Sequence, residues 1–188
     1  MTTNHTGPLL AERDGIKVYD CRACGFAHVI PLPSPRELEA YYQLLFWETK
    51  GKGWRERYES QRDWSNMRDG DYLELLGTHA LGRNLLDVGA GYGFFAAQAQ
   101  AAGWQVTAME PSHEAADYFQ AHTGLDPLRY TAEDARAFSL PRYDAITAFF
   151  LLEHLPQPAT FLRWARSHLY SGGCLCLAVR NEFSWGQM

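Results

Sequence analysis

Residues Leu85–Phe95 read LLDVGAGYGFF, an apolar run that stops at Asp87 and then places glycine at the alternate positions 89, 91 and 93. The flanks decide what this is. From Gly82 onward, apolar runs alternate with amphipathic segments, the pattern of parallel strands joined by crossover helices. The spacing predicts strands near 84–89, 105–110, 127–131, 143–149 and 174–180, and helices near 93–102, 112–122 and 157–169. Ser112 suits the N-cap of the second helix, with Glu114 in its first turn. In the third, Pro158 comes early, Phe161, Leu162, Ala165 and Leu169 share a face, and Gly172 and Gly173 mark the end. The fold class is α/β, with helices on both faces of a parallel sheet. LLDVGAGYGFF is then a strand end, a tight turn and a helix start.

Composition limits what such a sheet serves. With 188 residues, 46% apolar and 14% aromatic, the chain can bury one substantial core, so one main domain plus an appendage is expected. A net charge of −5 without a long basic run argues against nucleic acid and for a small-molecule partner. No apolar stretch reaches the roughly 18 residues of a membrane span, and MTTNHTGPLLAERDG lacks a secretory pattern. A cytoplasmic protein without a membrane partner is expected. Its cysteines form two close pairs, Cys21/Cys24 and Cys174/Cys176, which a reducing compartment keeps as thiols.

The chain changes character twice. Residues 1–35 are rich in turn formers and close with the prolines of IPLPSP, as an appendage would. Residues 36–82 turn helical and aromatic, with Tyr41, Tyr42, Tyr58, Trp64 and Tyr72; these either pack a helical layer or form a lid over a ligand. Residues 83–188 carry the α/β core.

Glycines at a strand-to-helix turn allow positive φ and let a ligand lie against the main chain, with the helix-start N–H groups facing it. A dinucleotide fingerprint wants glycine at its first, third and sixth positions. Here the third glycine falls at the fifth, Gly93, and Phe94 occupies the sixth. The next strand ends in QVTAMEPS and delivers Glu110, an acidic group able to accept both hydroxyls of a ribose. TAEDA at 131–135 follows the third strand, where an adenine could meet backbone amides and a carboxylate. Each acidic residue could instead be a solvated charge, and the turn purely structural; their joint placement at strand ends favours one adenosine.

From about Asn84 to Phe183 these residues resemble the class I S-adenosylmethionine-dependent methyltransferases, whose fold is a Rossmann-like sheet. LLDVGAGYGFF is similar to the family's first motif, AMEPS to its acidic second, YDAITAFFLLEHLPQP to its fourth-strand motif, and LYSGGCLCLAVRNEF to the entry into its fifth strand. The resemblance implies S-adenosylmethionine as cofactor and S-adenosylhomocysteine as product. It implies that Asp87, Gly89, Ala90, Gly91 and Gly93 surround the methionine end. Glu110 would hold the ribose beside Met109 and Pro111, Ala132, Glu133 and Asp134 would face the adenine, and Phe149 and Phe150 would line the sulfonium side.

The N-terminal VYDCRACGFAHVIPLPSPRELEAYY resembles a bacterial subgroup that carries a cysteine-rich knuckle before this core. The subgroup has two CxxC pairs, whereas this chain has Cys21 and Cys24 alone. Structural zinc needs four ligands. His5 or His28 could complete a set, but zinc is not favoured and no metal site is assigned. Cys174 and Cys176, two apart on one strand, read as small core residues.

Methyl transfer is an in-line displacement that depends on holding donor and acceptor aligned and away from water. An acidic acceptor also needs a base, and His154, beside Glu153 after the fourth strand, is the candidate. Alternatively the pair only caps the following loop and helix. The LEH segment is similar to that of ubiquinone-biosynthesis O-methyltransferases, some of which bind a divalent metal there through a further carboxylate; Phe150 stands at that position. Eight residues follow the fifth strand, so the family's last two strands are expected to be missing and residues 174–180 to form an exposed edge inviting a homodimer or another partner chain. The reading is methyl transfer to a small-molecule O, C or N acceptor. A non-catalytic adenosine-binding module and a nicotinamide-dependent oxidoreductase are the alternatives. Trp64, Arg68 and Tyr72 are candidate contacts near cofactor or acceptor.

Overall fold

The computed structural model describes residues 5–31, 33–42, 52–132, 134–137 and 139–180, excluding the side chains at positions 35, 39, 52, 54, 64, 136 and 137. The chain divides into two compact units, Met1–Glu39 and Ala40–Met188. The first contains β1 (Leu9–Arg13), β2 (Ile16–Cys21) and β3 (Phe26–Val29), an antiparallel three-stranded sheet in that order. Asp14 and Gly15, both at positive φ, make the first hairpin turn. The helix α1 (Pro35–Ala40) starts in a capping box: the Ser34 hydroxyl accepts from the Glu37 amide at 3.3 Å, and the Glu37 carboxylate accepts from the Ser34 amide at 2.8 Å.

The second unit holds α2 (Lys52–Ser60), α3 (Arg62–His79), β4 (Asn84–Val88), α4 (Phe94–Ala101), β5 (Gln105–Met109), α5 (His113–Thr123), β6 (Tyr143–Phe149), α6 (Pro158–Ser167) and β7 (Leu169–Ala178). Among the described residues its four strands run parallel in the order β5-β4-β6-β7. Leu85, Leu86, Asp87 and Val88 are all buried because β4 is central and covered on both faces. Leu86 and Val88 pack with Met109, Ile146, Phe161 and Trp164. Leu85 packs with Leu76, Phe95, Ala99 and Trp104 on the other face. Strand alternation sends Asp87 to the same face as Leu85, toward α3 and α4.

Three details differ from the sequence reading. The strand expected near 127–131 is a single bridge from Leu128 to Met109, since the next amide in register, that of Tyr130, turns back to the Leu128 carbonyl at 2.9 Å instead of continuing the ladder. α6 ends at Ser167, and Gly172 and Gly173 lie inside β7 instead of terminating the helix, with Leu169 already in the strand. The cause is a register jump: Tyr143 pairs with Leu169 while Ala145 pairs with Cys174, so residues 170–173 loop out, with Gly172 at φ +82°. The regular part of β7 therefore begins at Cys174.

Ser112 caps α5 as expected, its hydroxyl accepting from the Ala115 amide at 3.4 Å. Gly93 is required by packing. Its φ is +82°, and a Cβ there would lie 2.6 Å from Cδ2 of the fully buried Phe119 and 2.9 Å from Thr123 Cγ2. Gly93→Ala should lower stability by about 2–4 kcal/mol in urea unfolding through backbone strain plus overpacking; a loss below about 0.5 kcal/mol would contradict that account. Among the described residues, no helix is long and apolar enough to cross a membrane.

Candidate functional site

The C-terminal ends of β5, β4 and β6 lie side by side, and the sequence-selected residues collect there. Glu110 follows β5 and is 4% exposed. One carboxylate oxygen accepts from the Gly91 amide at 2.9 Å and the other from the Ser112 amide at 2.9 Å, so this side chain ties the glycine turn to the start of α5. A carboxylate offers about four acceptor positions.

The turn's amides face inward. Gly89 and Ala90 both donate to the Met109 carbonyl, at 2.8 and 3.0 Å, and Gly93 donates to Ala90 at 3.0 Å. These N–H groups hold the turn against β5, while the helix start whose N–H groups the sequence reading gives to a ligand follows at Phe94. A Cβ at Gly89, whose φ is +74°, would sit 3.3 Å from Leu151 Cδ1. Met109 is buried in the core and contributes its carbonyl there, while Pro111 is half-buried beside Glu110.

Asp87 lies beneath the turn, 3% exposed. The Thr147 hydroxyl donates to it at 2.7 Å across the register pair that joins the two residues. Burial pushes its pKa up to about 7, the Thr147 hydrogen bond opposes the rise, and the charge of Asp69 adds to it. Asp69, on α3, is 1% exposed and accepts from Arg68 Nη2 at 2.6 Å, Gln98 Nε2 at 3.2 Å and the Tyr58 hydroxyl. Two buried carboxylates thus face one region. Asp69 is held by a cation and its hydrogen bonds, whereas Asp87 is driven toward neutrality.

Phe149 packs between Tyr72, at a centroid distance of 4.6 Å, and Phe95, at 4.8 Å. Phe150 is 38% exposed and holds φ at +54°, a strained backbone for a bulky residue, with its amide donating to the Ala178 carbonyl at 2.6 Å. Beyond it, a short 3-10 turn carries Glu153 and His154. The Tyr42 hydroxyl lies 2.8 Å from His154 Nδ1. Although His154 remains exposed at its surface, loss of solvent around the ring lowers its pKa; Glu153 pulls the value up and Arg180 pushes it down. Burial drives the Tyr42 phenol up to about 12, so it is protonated at neutral pH.

On the third arm, Ala132 packs against the core, and Asp134 accepts from the Thr131 hydroxyl at 2.7 Å as the cap of its 3-10 turn. Glu133 and the Trp64 side chain lie outside the described residues. Arg68 pairs with Asp69, and Cys174 and Cys176 pack half-buried against the second core cluster. Tyr58 stacks on Phe94 at 4.1 Å, so Tyr58 and Tyr72 belong to a packed helical layer. Sequence reasoning missed Asp69 and Thr147, and placed Tyr42 only among the helical aromatics without linking it to His154. Thr147 was recoverable as the polar residue in an apolar strand; the other two gave no local signal.

A parallel α/β sheet with a glycine turn after one strand and a buried acid after the next defines a nucleotide-binding class of protein. Residues 57–188 match the family model described as a methyltransferase domain, and the chain belongs to that family. It is 28% identical over 123 residues to the ubiquinone biosynthesis O-methyltransferase of Proteus mirabilis, covering 61% of this chain and 50% of that protein. The counterpart from Xanthomonas axonopodis pv. citri is 32% identical over 106 residues, 54% of this chain and 44% of its own length. The chain thus spans about half the length of the curated relatives it matches. Solved structures share the fold. A magnesium protoporphyrin IX methyltransferase from Synechocystis, solved with bound S-adenosylmethionine, aligns with TM-score 0.56 at 17% identity over 73% of this chain and 74% of that one. A Leishmania major S-adenosylmethionine-dependent methyltransferase aligns with TM-score 0.61 at 17% identity, over 77% and 62%.

Proposed function

We propose that the chain binds S-adenosylmethionine at the C-terminal ends of β4, β5 and β6 and serves methyl transfer to a small-molecule O, C or N acceptor. The observation that carries this reading is Glu110, a nearly buried carboxylate held by two backbone amides at the end of the second strand of the sheet's sequence. The residues fit the cofactor. Glu110 offers a carboxylate for the paired hydroxyls of a ribose at the end of β5, and Gly89 and Gly91, at φ +74° and +56°, keep the adjoining turn free of side chains. When bound, S-adenosylmethionine supplies an electrophilic methyl group on a sulfonium.

This chain's own residues then have distinct tasks. Asp87 provides negative charge beneath the turn when ionised. His154, neutral at pH 7 through desolvation, is able to take a proton from an acidic acceptor, and Tyr42 orients its ring. The names of the curated relatives support an O-methyl acceptor among the three atom types. A nicotinamide cofactor is disfavoured because the close-packing glycine stands at position 93, followed by Phe94, whose ring stacks on Tyr58.

Calorimetric titration with S-adenosylmethionine, S-adenosylhomocysteine and NAD tests the proposal. Binding of the first two and not of NAD is expected; binding of NAD alone, or of none, would overturn it. The base assignment has its own check. By NMR, His154 should titrate below the ordinary 6.5, and Glu153→Gln should lower it further by removing the charge that pulls it up. A value well above 7 would make His154 largely cationic at neutral pH and remove it as the base.

A further inference from the structure

We propose that His5, Cys21, Cys24 and His28 hold a structural zinc ion that closes the N-terminal three-stranded unit. Sequence reading found two thiols, treated the histidines as alternatives and disfavoured zinc for want of ligands. The structure brings both histidines to the pair: one potential ligand atom from each of the four lies within 4.8 Å of all the others. His5 Nδ1 is 3.6 Å from Cys21 Sγ and 3.4 Å from Cys24 Sγ. The edges of a tetrahedron with ordinary Zn–S and Zn–N bonds run to roughly 3.3–3.8 Å, so the two His5–thiol separations already lie in that range and a small inward adjustment of the remaining atoms completes it.

The backbone explains the convergence. Cys21 ends β2, and the tight turn to Cys24 is closed by the Gly25 amide donating to the Cys21 carbonyl at 2.8 Å. The segment bearing His5 is zipped to that strand by Arg22 N–H to the Thr6 carbonyl and Asp20 N–H to the Pro8 carbonyl, both at 3.0 Å. Gly7 permits that approach, since a Cβ there would fall 1.7 Å from the Asp20 oxygen. His28 comes from β3, paired with β2.

His28 supplies an independent observation. Its Nδ1 lies 2.8 Å from the Val29 carbonyl, which only accepts, so the proton sits on Nδ1 and Nε2 carries a lone pair. That Nε2 is buried with no hydrogen-bond partner. A bare imidazole nitrogen whose other nitrogen donates to a backbone carbonyl is the form in which histidine ligates a metal. Two thiolates with two imidazoles suit zinc in preference to magnesium or calcium, which take oxygen ligands.

The described residues of the unit bury little apolar surface. Cys21 is the one fully buried residue among its described residues, while Leu9, Leu10, Ile16 and Phe26 are 50%, 55%, 60% and 46% exposed. Domains of this size without a core depend on a staple such as a metal.

The test is metal analysis and cobalt substitution of the full chain. About one zinc per chain is expected, and the cobalt form should show the intense visible bands of tetrahedral coordination together with thiolate charge transfer. His5→Ala and His28→Ala should each weaken zinc at least about tenfold in competition with a chromophoric chelator, and Cys21→Ser further. The cobalt spectrum of the unsubstituted chain stands even if a variant fails to fold. A metal-free chain with a weak octahedral cobalt spectrum, or unchanged zinc affinity in both histidine variants, would overturn the site.

Discussion

Glu110→Ala is expected to reduce affinity for S-adenosylmethionine by a factor on the order of a thousand. Two charge-assisted hydrogen bonds to a ribose are worth about 1.5–3 kcal/mol each, and both disappear with the carboxylate. The substitution also leaves the Gly91 and Ser112 amides without their acceptor in a site that is almost fully buried. Unfolding in urea should therefore show a loss of about 2–4 kcal/mol in the absence of any ligand. Glu110→Gln keeps one oxygen and should fall between the two. Calorimetric titration with S-adenosylhomocysteine decides the matter: affinity within about threefold of the unsubstituted chain would separate Glu110 from the ligand.

The second large effect concerns Asp87 and pH. In the unfolded chain this carboxyl titrates near 3.8, and in the folded chain burial moves it to about 7. Below pH 4 both states hold the proton. Between about 4 and about 7 the unfolded chain releases it while the folded chain retains it, so stability falls as pH rises, by about 1.4 kcal/mol per unit and on the order of 4 kcal/mol in total. Asp87→Asn should remove that decline and be the more stable protein at pH 8, with the Thr147 hydroxyl still donating to the amide oxygen. Urea unfolding at pH 4.5 and pH 8 on both proteins measures this; parallel curves would mean that Asp87 stays ionised throughout. If the ionised carboxylate meets the cationic methionine end of the cofactor, affinity should rise over the same pH range in which stability falls.

The α/β core was legible because each of its strands is a short apolar run between helices of different period. β4, β5 and β6 fall within a residue of their expected positions. The bridge at Leu128 and the excursion inside β7 were not, since both depend on where a neighbouring strand offers partners, a property of the sheet and not of the segment. The site divides in the same way. Glu110 and the glycine turn announce themselves by position after a strand, but the tasks of the turn residues do not: Gly93 makes room for Phe119, and Gly91 supplies an amide to Glu110. Tyr42 reaches His154 across 112 positions of sequence, and a lone tyrosine in an aromatic helix carries no mark of that. The N-terminal cluster was hidden for a related reason: His5 meets the thiols only because the glycine at position 7 lets its segment close on β2.

The looped-out residues 170–173 also give the protein an experimental handle. They interrupt β7 near its beginning, at the edge of the sheet opposite to the strand ends that hold Glu110 and His154, and Tyr170 is 48% exposed. Chain length there is already uncoupled from strand register. A peptide tag or a fluorophore placed in that excursion should be tolerated, and would allow immobilisation or distance measurements on the working protein without touching the face where ligands bind.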